Sequence, residues 1–324
     1  MKYRFLTVLH NLSLEGTEQR SIKLNSNGVI SQEKAILTKT FQNKLAIDTL
    51  GVHSIDEFEN SVFYYLDGEF QSDITEDIIN KRGTKFTFAL LRFIQQFVFN
   101  IWKIKDNNVY VHSGFIFVYE NEISDGFTFK AVLREQMSYS NSSSGNTFCT
   151  EEELKQTNEL VYSVNFNQLF NDEINYKKAN HDHFFKYSKS NRTDRAWYFV
   201  LSARTSGALP IKIIAYCTAL ECLFTSSQTE LSHRISERVA MLIGVDSIEM
   251  VKTYKLIKKA YNIRSTIVHG SILKGTNDDL KEISSELDEI LRKLLTGEYE
   301  IFTKKDEKID EYFLQKLFEF KGVF

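Results

Sequence analysis

Ser247 to Gly270 reads SIEMVKTYKLIKKAYNIRSTIVHG. A small polar residue opens the stretch, no proline or glycine interrupts it, and a glycine closes it. These are the start and stop signals of one long helix, with Ser247 as cap, Ile248 to His269 as body and Gly270 as stop. Similar segments flank it. Asn277 is placed to cap a helix carrying Leu280, Ile283, Leu287, Ile290 and Leu294. Upstream, Ile235, Val239, Leu242 and Ile243 line a helix that Gly244 can end. Pro210 suits the first turn of another, where its missing N–H costs nothing, and that helix carries Ile213, Ile214, Tyr216, Cys217, Leu220 and Leu223. Ala196 to Ser206 reads as one more helix. Thr150 with Glu153 matches a capping box that opens a helix to about Val161. Amphipathic helices joined by short loops are the sequence form of an all-α bundle.

The first half reads differently. Tyr3–Leu9 and Ser61–Leu66 are strand-forming, the second ending at the turn signal Asp67-Gly68. Val109–His112 and Phe115–Tyr119 flank Ser113-Gly114 as a hairpin or one bulged strand, and Phe127–Arg134 predicts a further strand. Phe88–Phe97 has apolar residues at helical spacing and predicts a helix packed on the sheet. Ser138 to Thr147, SYSNSSSGNT, is polar with no apolar anchor after Tyr139, which predicts a linker between domains or, as the alternative, a long loop inside one. The expected class is therefore α+β: a mixed, strand-rich domain over residues 1–146, then an all-α domain over residues 147–324.

Composition narrows the function. The 324 residues suffice for two ordinary cores, and 42% hydrophobic with 26% charged residues reads as globular. A formal net charge of -3 argues against a protein that coats nucleic acid non-specifically, though not against a local basic groove. The cysteines Cys149, Cys217 and Cys222 are too few for a disulfide framework and match no zinc spacing. His181-Asp182-His183 is a two-histidine loop with no further ligand pattern, so no metal and no cofactor is expected. Met1–Asn11 lacks a basic region followed by a long apolar core, and no uncharged apolar run reaches about 18 residues. The expectation is a cytoplasmic protein with no membrane partner.

The chemistry-bearing string is Tyr261-Asn262-Ile263-Arg264-Ser265-Thr266-Ile267-Val268-His269-Gly270. Alone, an Arg five residues before a His is ordinarily a solvated Arg and a packed His. Its context is Ala219-Leu220-Glu221-Cys222-Leu223-Phe224, then Glu230-Leu231-Ser232-His233-Arg234-Ile235-Ser236-Glu237-Arg238-Val239-Ala240-Met241-Leu242, then the Tyr-x2-Arg-Ser-x3-His-Gly string. This ordered set resembles the Apea-like HEPN family over roughly residues 196–295. The N-terminal half carries no such resemblance.

The resemblance implies a HEPN helical bundle that dimerises and cleaves RNA without metal. Arg264 and His269 fall on the family's Arg-x4-6-His motif, and Glu221 on the polar position of an earlier helix facing it. Ser265 stands where many members carry Asn, Asp or His. The residue types suit the chemistry: the 2′-OH of RNA is the nucleophile, His moves a proton, and Arg holds the scissile phosphate. Lys258 and Lys259 could steer RNA or equally form a solvated helix face, and Tyr261 could stack on a base, though core or dimer packing is the commoner role for such a tyrosine. Five residues turn an ideal helix by about 500°, so the two motif side chains diverge by roughly 140°. Either the helix ends at His269, or a second protomer completes the site; Tyr261, Ile263 and Ile267 are suited to pack at that contact or, equally, to face the bundle core. The expected partners are an RNA substrate, with tRNA and other structured RNAs as candidates, a second copy of the chain, and a viral trigger or neutralising protein. The resemblance places the activity in antiviral (anti-phage) defence, as in abortive infection, or in a toxin. The alternative, which Ser265 keeps open, is a non-catalytic module that binds RNA or protein and dimerises. On either reading the N-terminal domain is a recognition or regulatory element, or a scaffold.

Overall fold

The computed structural model describes residues 1–16, 21–24, 28–161, 166, 170, 191–225, 231–304 and 306–319. The chain divides into two compact units. One comprises Met1–Met137 with Gly145–Ile174, the other Ser138–Ser144 with Asn175–Phe324. No helix among the described residues is long and apolar enough to cross a membrane.

The first unit contains the strands β1 (Lys2–Val8), β2 (Leu12–Leu14), β3 (Ser21–Lys23), β4 (Gly28–Ser31), β5 (Phe63–Glu69), β6 (Ser113–Tyr119), β7 (Phe127–Val132) and β8 (Thr147–Cys149). Its helices are α1 (Lys34–Phe41), α2 (Lys44–Glu59), α3 (Glu76–Ile104) and α4 (Glu151–Glu159). Six strands form one antiparallel sheet in the order β3-β4-β5-β1-β6-β7. Side chains alternate between its faces with period two. Phe5, Tyr64, Leu66, Ile116 and Val118 pack with Phe86, Leu90, Ile94 and Phe97 of α3. Leu6, Val8, Phe63, Phe115 and Phe117 pack with Leu37 and Phe41 of α1 and Leu50 and Phe58 of α2. Because both faces are covered, these strands read as nearly continuous apolar runs rather than as alternating ones.

Several strand details differ from the sequence expectation. Asp67-Gly68 is not a turn, since β5 runs through it to Glu69. Asp67 is instead the cross-strand partner of Arg4, whose Nε lies 2.7 Å from its Oδ1. Gly68 pairs with Tyr3, and a Cβ there would fall 2.3 Å from that ring. Tyr110 forms an isolated bridge with His10, and β6 begins at Ser113, so residues 109–119 are neither a hairpin nor one bulged strand. Phe88–Phe97 is the middle of the 29-residue α3.

The linker and the boundary are corrected as well. Thr150 does form the capping box with Glu153, but α4 packs on α3 in the sheet unit. β8, which starts at the last residue of the supposed linker, Thr147, pairs parallel with β2. Ser138–Ser144 belongs to the helical unit. The Ser138 amide and hydroxyl donate to the Arg204 carbonyl at 2.9 and 2.8 Å, and the Ser284 hydroxyl donates to the Ser140 carbonyl at 2.6 Å. A segment without apolar anchors is held here by hydrogen bonds, a term that a reading based on apolar burial omits.

The helical unit contains α5 (Arg192–Arg204), α6 (Leu209–Phe224), α7 (Leu231–Ile243), α8 (Ser247–Val268), α9 (Asn277–Thr296) and α10 (Asp306–Glu319). Pro210 lies in the first turn of α6. This helix is apolar around most of its circumference, so it must be buried, and α5, α7, α8 and α9 all pack on it. Its last carbonyls are capped by two buried arginines. Arg192 donates to the Cys222 and Thr225 carbonyls at 3.1 and 2.8 Å, and Arg238 to the Phe224 carbonyl at 2.6 Å. Two N-caps shift by one residue. Asp246 rather than Ser247 caps α8, accepting from the Ile248 and Glu249 amides, and Thr276 rather than Asn277 caps α9 through a capping box with Asp279.

Candidate functional site

The site is built on the stripe of α8 that faces α6. Thr253, Ile257, Ala260 and Tyr261 are buried along it, and Arg264 is the next residue on that face, three beyond Tyr261 and four beyond Ala260. On α6, Cys217 and Glu221 are likewise one turn apart. The Tyr261 hydroxyl donates to the Cys217 carbonyl at 3.3 Å, and Arg264 Nη2 lies 3.2 Å from Glu221 Oε1. Contacts rise together along both helices, so the two run parallel where they meet and their C-terminal ends lie together.

Burial sets the electrostatics. It raises the Glu221 carboxyl, against the opposing pull of the Arg264 guanidinium and of the neighbouring Tyr261 hydroxyl. It drives the Tyr261 phenol far above its ordinary value, and pushes the Cys217 thiol up to about 12 and the Cys222 thiol up to about 11. Burial therefore favours the protonated thiol at both positions. The Arg264–Glu221 contact is ionic rather than an aligned hydrogen bond: Arg264 Nε and Glu221 Oε1 are both buried and lack a hydrogen-bond partner among the described residues. Unspent buried hydrogen-bonding capacity of this kind calls for an explanation.

His269 is the C-cap of α8. Its amide donates to the Ser265 carbonyl at 3.1 Å, and its side chain is exposed. Gly270 follows with φ +69°. The Gly270 amide donates to the Ile267 carbonyl and the Ser271 amide to the Thr266 carbonyl, both at 2.9 Å. This pair of bonds is the Schellman closure, which needs a left-handed residue where glycine stands. Gly270→Ala forces a Cβ into that conformation and is expected to cost about 1–2 kcal/mol. Thermal melting should show a fall of a few degrees, and an unchanged midpoint would show that the cap tolerates the strain.

The structure thus brings Glu221, Tyr261 and Arg264 together. It joins His269 to Arg264 by no hydrogen bond or ion pair, as the divergence of about 140° requires. Tyr261 is 5% exposed, so its ring offers no stacking face and packs within its own bundle rather than at a dimer contact. Ile263 and Ile267 are half-buried. Lys259 pairs with Asp279 at 3.5 Å, whereas Lys258 is half-buried and has no ion pair among the described residues. Ser265 is exposed. Lys258, Asn262, Ser265 and His269 follow at steps of four, three and four on the solvent side of α8. Asn262 was missed in the sequence, although this spacing marks it. Among the described residues no group of three His, Cys, Asp or Glu could hold a metal. His181, Asp182 and His183 lie outside them.

No family model, no curated protein and no solved structure matches the chain.

Proposed function

We propose that the helical unit is a HEPN-type bundle and that the chain is a metal-independent endoribonuclease acting as a cytoplasmic homodimer in antiviral defence or as a toxin. The observation that carries this reading is the division of labour at the end of α8. Arg264 is anchored by Glu221 on the bundle side, while His269 caps the same helix with an exposed imidazole. In this scheme the RNA 2′-OH attacks the adjacent phosphorus and the P–O5′ bond breaks. His269 moves the proton, and Arg264 stabilises the charge that builds on the phosphoryl oxygens. The products are a 2′,3′-cyclic phosphate and a 5′-hydroxyl. No step needs a cofactor. Glu221 orients Arg264, and Lys258 lies on the solvent side of the helix that RNA would approach. The sheet unit serves recognition or regulation, and a viral trigger or neutralising partner would act through it.

One protomer leaves Arg264 and His269 on different sides of α8, so a two-fold contact between α8 helices is the arrangement that makes the site whole. Mixing Arg264→Ala chains with His269→Ala chains tests this. A shared site gives mixed dimers one intact Arg-His pair and restores part of the cleavage that neither variant has alone. A monomer that still cuts RNA at working concentration overturns the shared site.

A specific observation also favours the second reading, a non-catalytic module that binds RNA or protein. Arg264 is already paired with Glu221 on the core-facing stripe, where a purely structural Arg would sit. That reading expects RNA or a partner protein to bind without cleavage.

A further inference from the structure

The sheet unit holds a cleft of about 820 Å³ that the ribonuclease reading does not use. Part of its lining is the β2–β8 pair, where Ser13 and Phe148 stand opposite each other in register. Thr147 and Cys149 on either side of Phe148 are buried, so the strand alternation turns Phe148 outward, and it is 61% exposed. Its backbone is fixed: Lys105 Nζ donates to the Phe148 carbonyl at 3.0 Å while pairing with Glu153 at 2.6 Å. Asn146 Nδ2 donates to Ser13 Oγ at 3.0 Å. Gln32 and Glu33 ahead of α1, with Glu59 and Asn60 at the end of α2, supply further lining.

The cleft therefore combines an exposed aromatic ring with amide, hydroxyl and carboxylate groups, and its size lies within the range of small-molecule sites. Two carboxylates, Glu33 and Glu59, against the single Lys34 disfavour a phosphate. An aromatic platform among hydrogen-bonding groups suits a ligand with a flat apolar face and a polar edge. We propose that this cleft binds a neutral ring bearing hydroxyl or amide groups, the chemistry shared by nucleosides and sugars, with Phe148 as the stacking surface. The inference is independent of the ribonuclease reading and stands or falls separately from it.

The test is calorimetric titration of the full chain with the four ribonucleosides, their 5′-monophosphates, glucose and N-acetylglucosamine. At least one nucleoside or sugar should bind, and which one does assigns the source. Any nucleoside that binds should bind more tightly than its monophosphate. Phe148→Ala should weaken binding by about tenfold or more, and Phe148→Tyr should retain it. Phe148 is exposed, so both variants should melt like the parent. The proposal is overturned if nothing binds at millimolar concentration, if a monophosphate binds more tightly than its nucleoside, or if Phe148→Ala leaves the affinity unchanged.

Discussion

His269→Ala should lower RNA cleavage by about 10²–10⁴-fold, the usual contribution of a positioned proton-transfer group, with no loss of stability. The second half of that expectation follows from placement. His269 is exposed and its imidazole has no hydrogen-bond or ion-pair partner among the described residues. Surface substitutions of this kind usually stay within about ±0.5 kcal/mol. Arg264→Ala should lower cleavage by about 10²–10³-fold, the effect of removing a donor that stabilises developing charge. It should also reduce stability by about 1–3 kcal/mol, because Glu221 is left with a largely buried carboxylate and without its only ion-pair partner among the described residues. Arg264→Lys separates the two effects. It restores a charge opposite Glu221 but not the two-pronged face that a phosphate engages, so the melting midpoint should recover more than the rate does. The measurements are cleavage of a labelled single-stranded RNA in the presence of a chelator, with a 2′-deoxy substrate as control, and thermal melting of each variant. Cleavage that persists in both alanine variants, or that requires a divalent metal, would falsify the ribonuclease assignment.

How much was legible in the sequence follows from which physical term each feature rests on. The helices of the second half were legible because their signals are local: Pro210 in a first turn, Gly244 and Gly270 after last turns, and apolar residues at helical spacing. Cap positions slipped by one residue where two polar side chains adjoin, as in Asp246-Ser247 and Thr276-Asn277, because the choice depends on which side chain reaches the free amides. The central strands of the sheet were legible as apolar runs, but α1 and α2 were not read as helices. Gly51, with φ +75°, breaks α2 into short pieces whose apolar residues do not form one regular stripe. The Asp67-Gly68 pair carried a turn signal yet serves a strand, because Tyr3 and Arg4, more than sixty residues away, set its environment. At the candidate site, Arg264, His269 and Glu221 were legible from spacing and resemblance. For Tyr261 core packing was already the commoner reading of such a residue, and the structure buries it; what the sequence did not show is the acceptor, the Cys217 carbonyl of α6.

The boundary was the largest departure, and it leads to a second strong expectation. A fragment of residues 138–324 should fold cooperatively, whereas one of residues 147–324, the boundary that composition suggests, should lose several kcal/mol or fail to melt cooperatively. Both carry the same stray β8 and α4, so their difference reports chiefly on residues 138–146. In the shorter fragment the fully buried Lys212 loses the Ser138 hydroxyl, which accepts from its Nζ at 2.8 Å, and retains the Ala203 carbonyl at 3.1 Å. The buried Ser284 hydroxyl loses the Ser140 carbonyl, and the Arg204 and Ser206 carbonyls lose Ser138. Each buried polar group deprived of a partner costs about 1–3 kcal/mol, so three or four such losses approach the whole stability of a typical domain, about 5–15 kcal/mol. Lys212→Met provides an internal check. In the shorter fragment it removes an ammonium that has lost an acceptor and should recover part of the deficit. In the longer one it deletes satisfied hydrogen bonds and should be neutral or mildly destabilising. Equal melting of the two fragments, or the same effect of Lys212→Met in both, would show that Ser138–Ser144 is only a tether and that the bundle is complete without it.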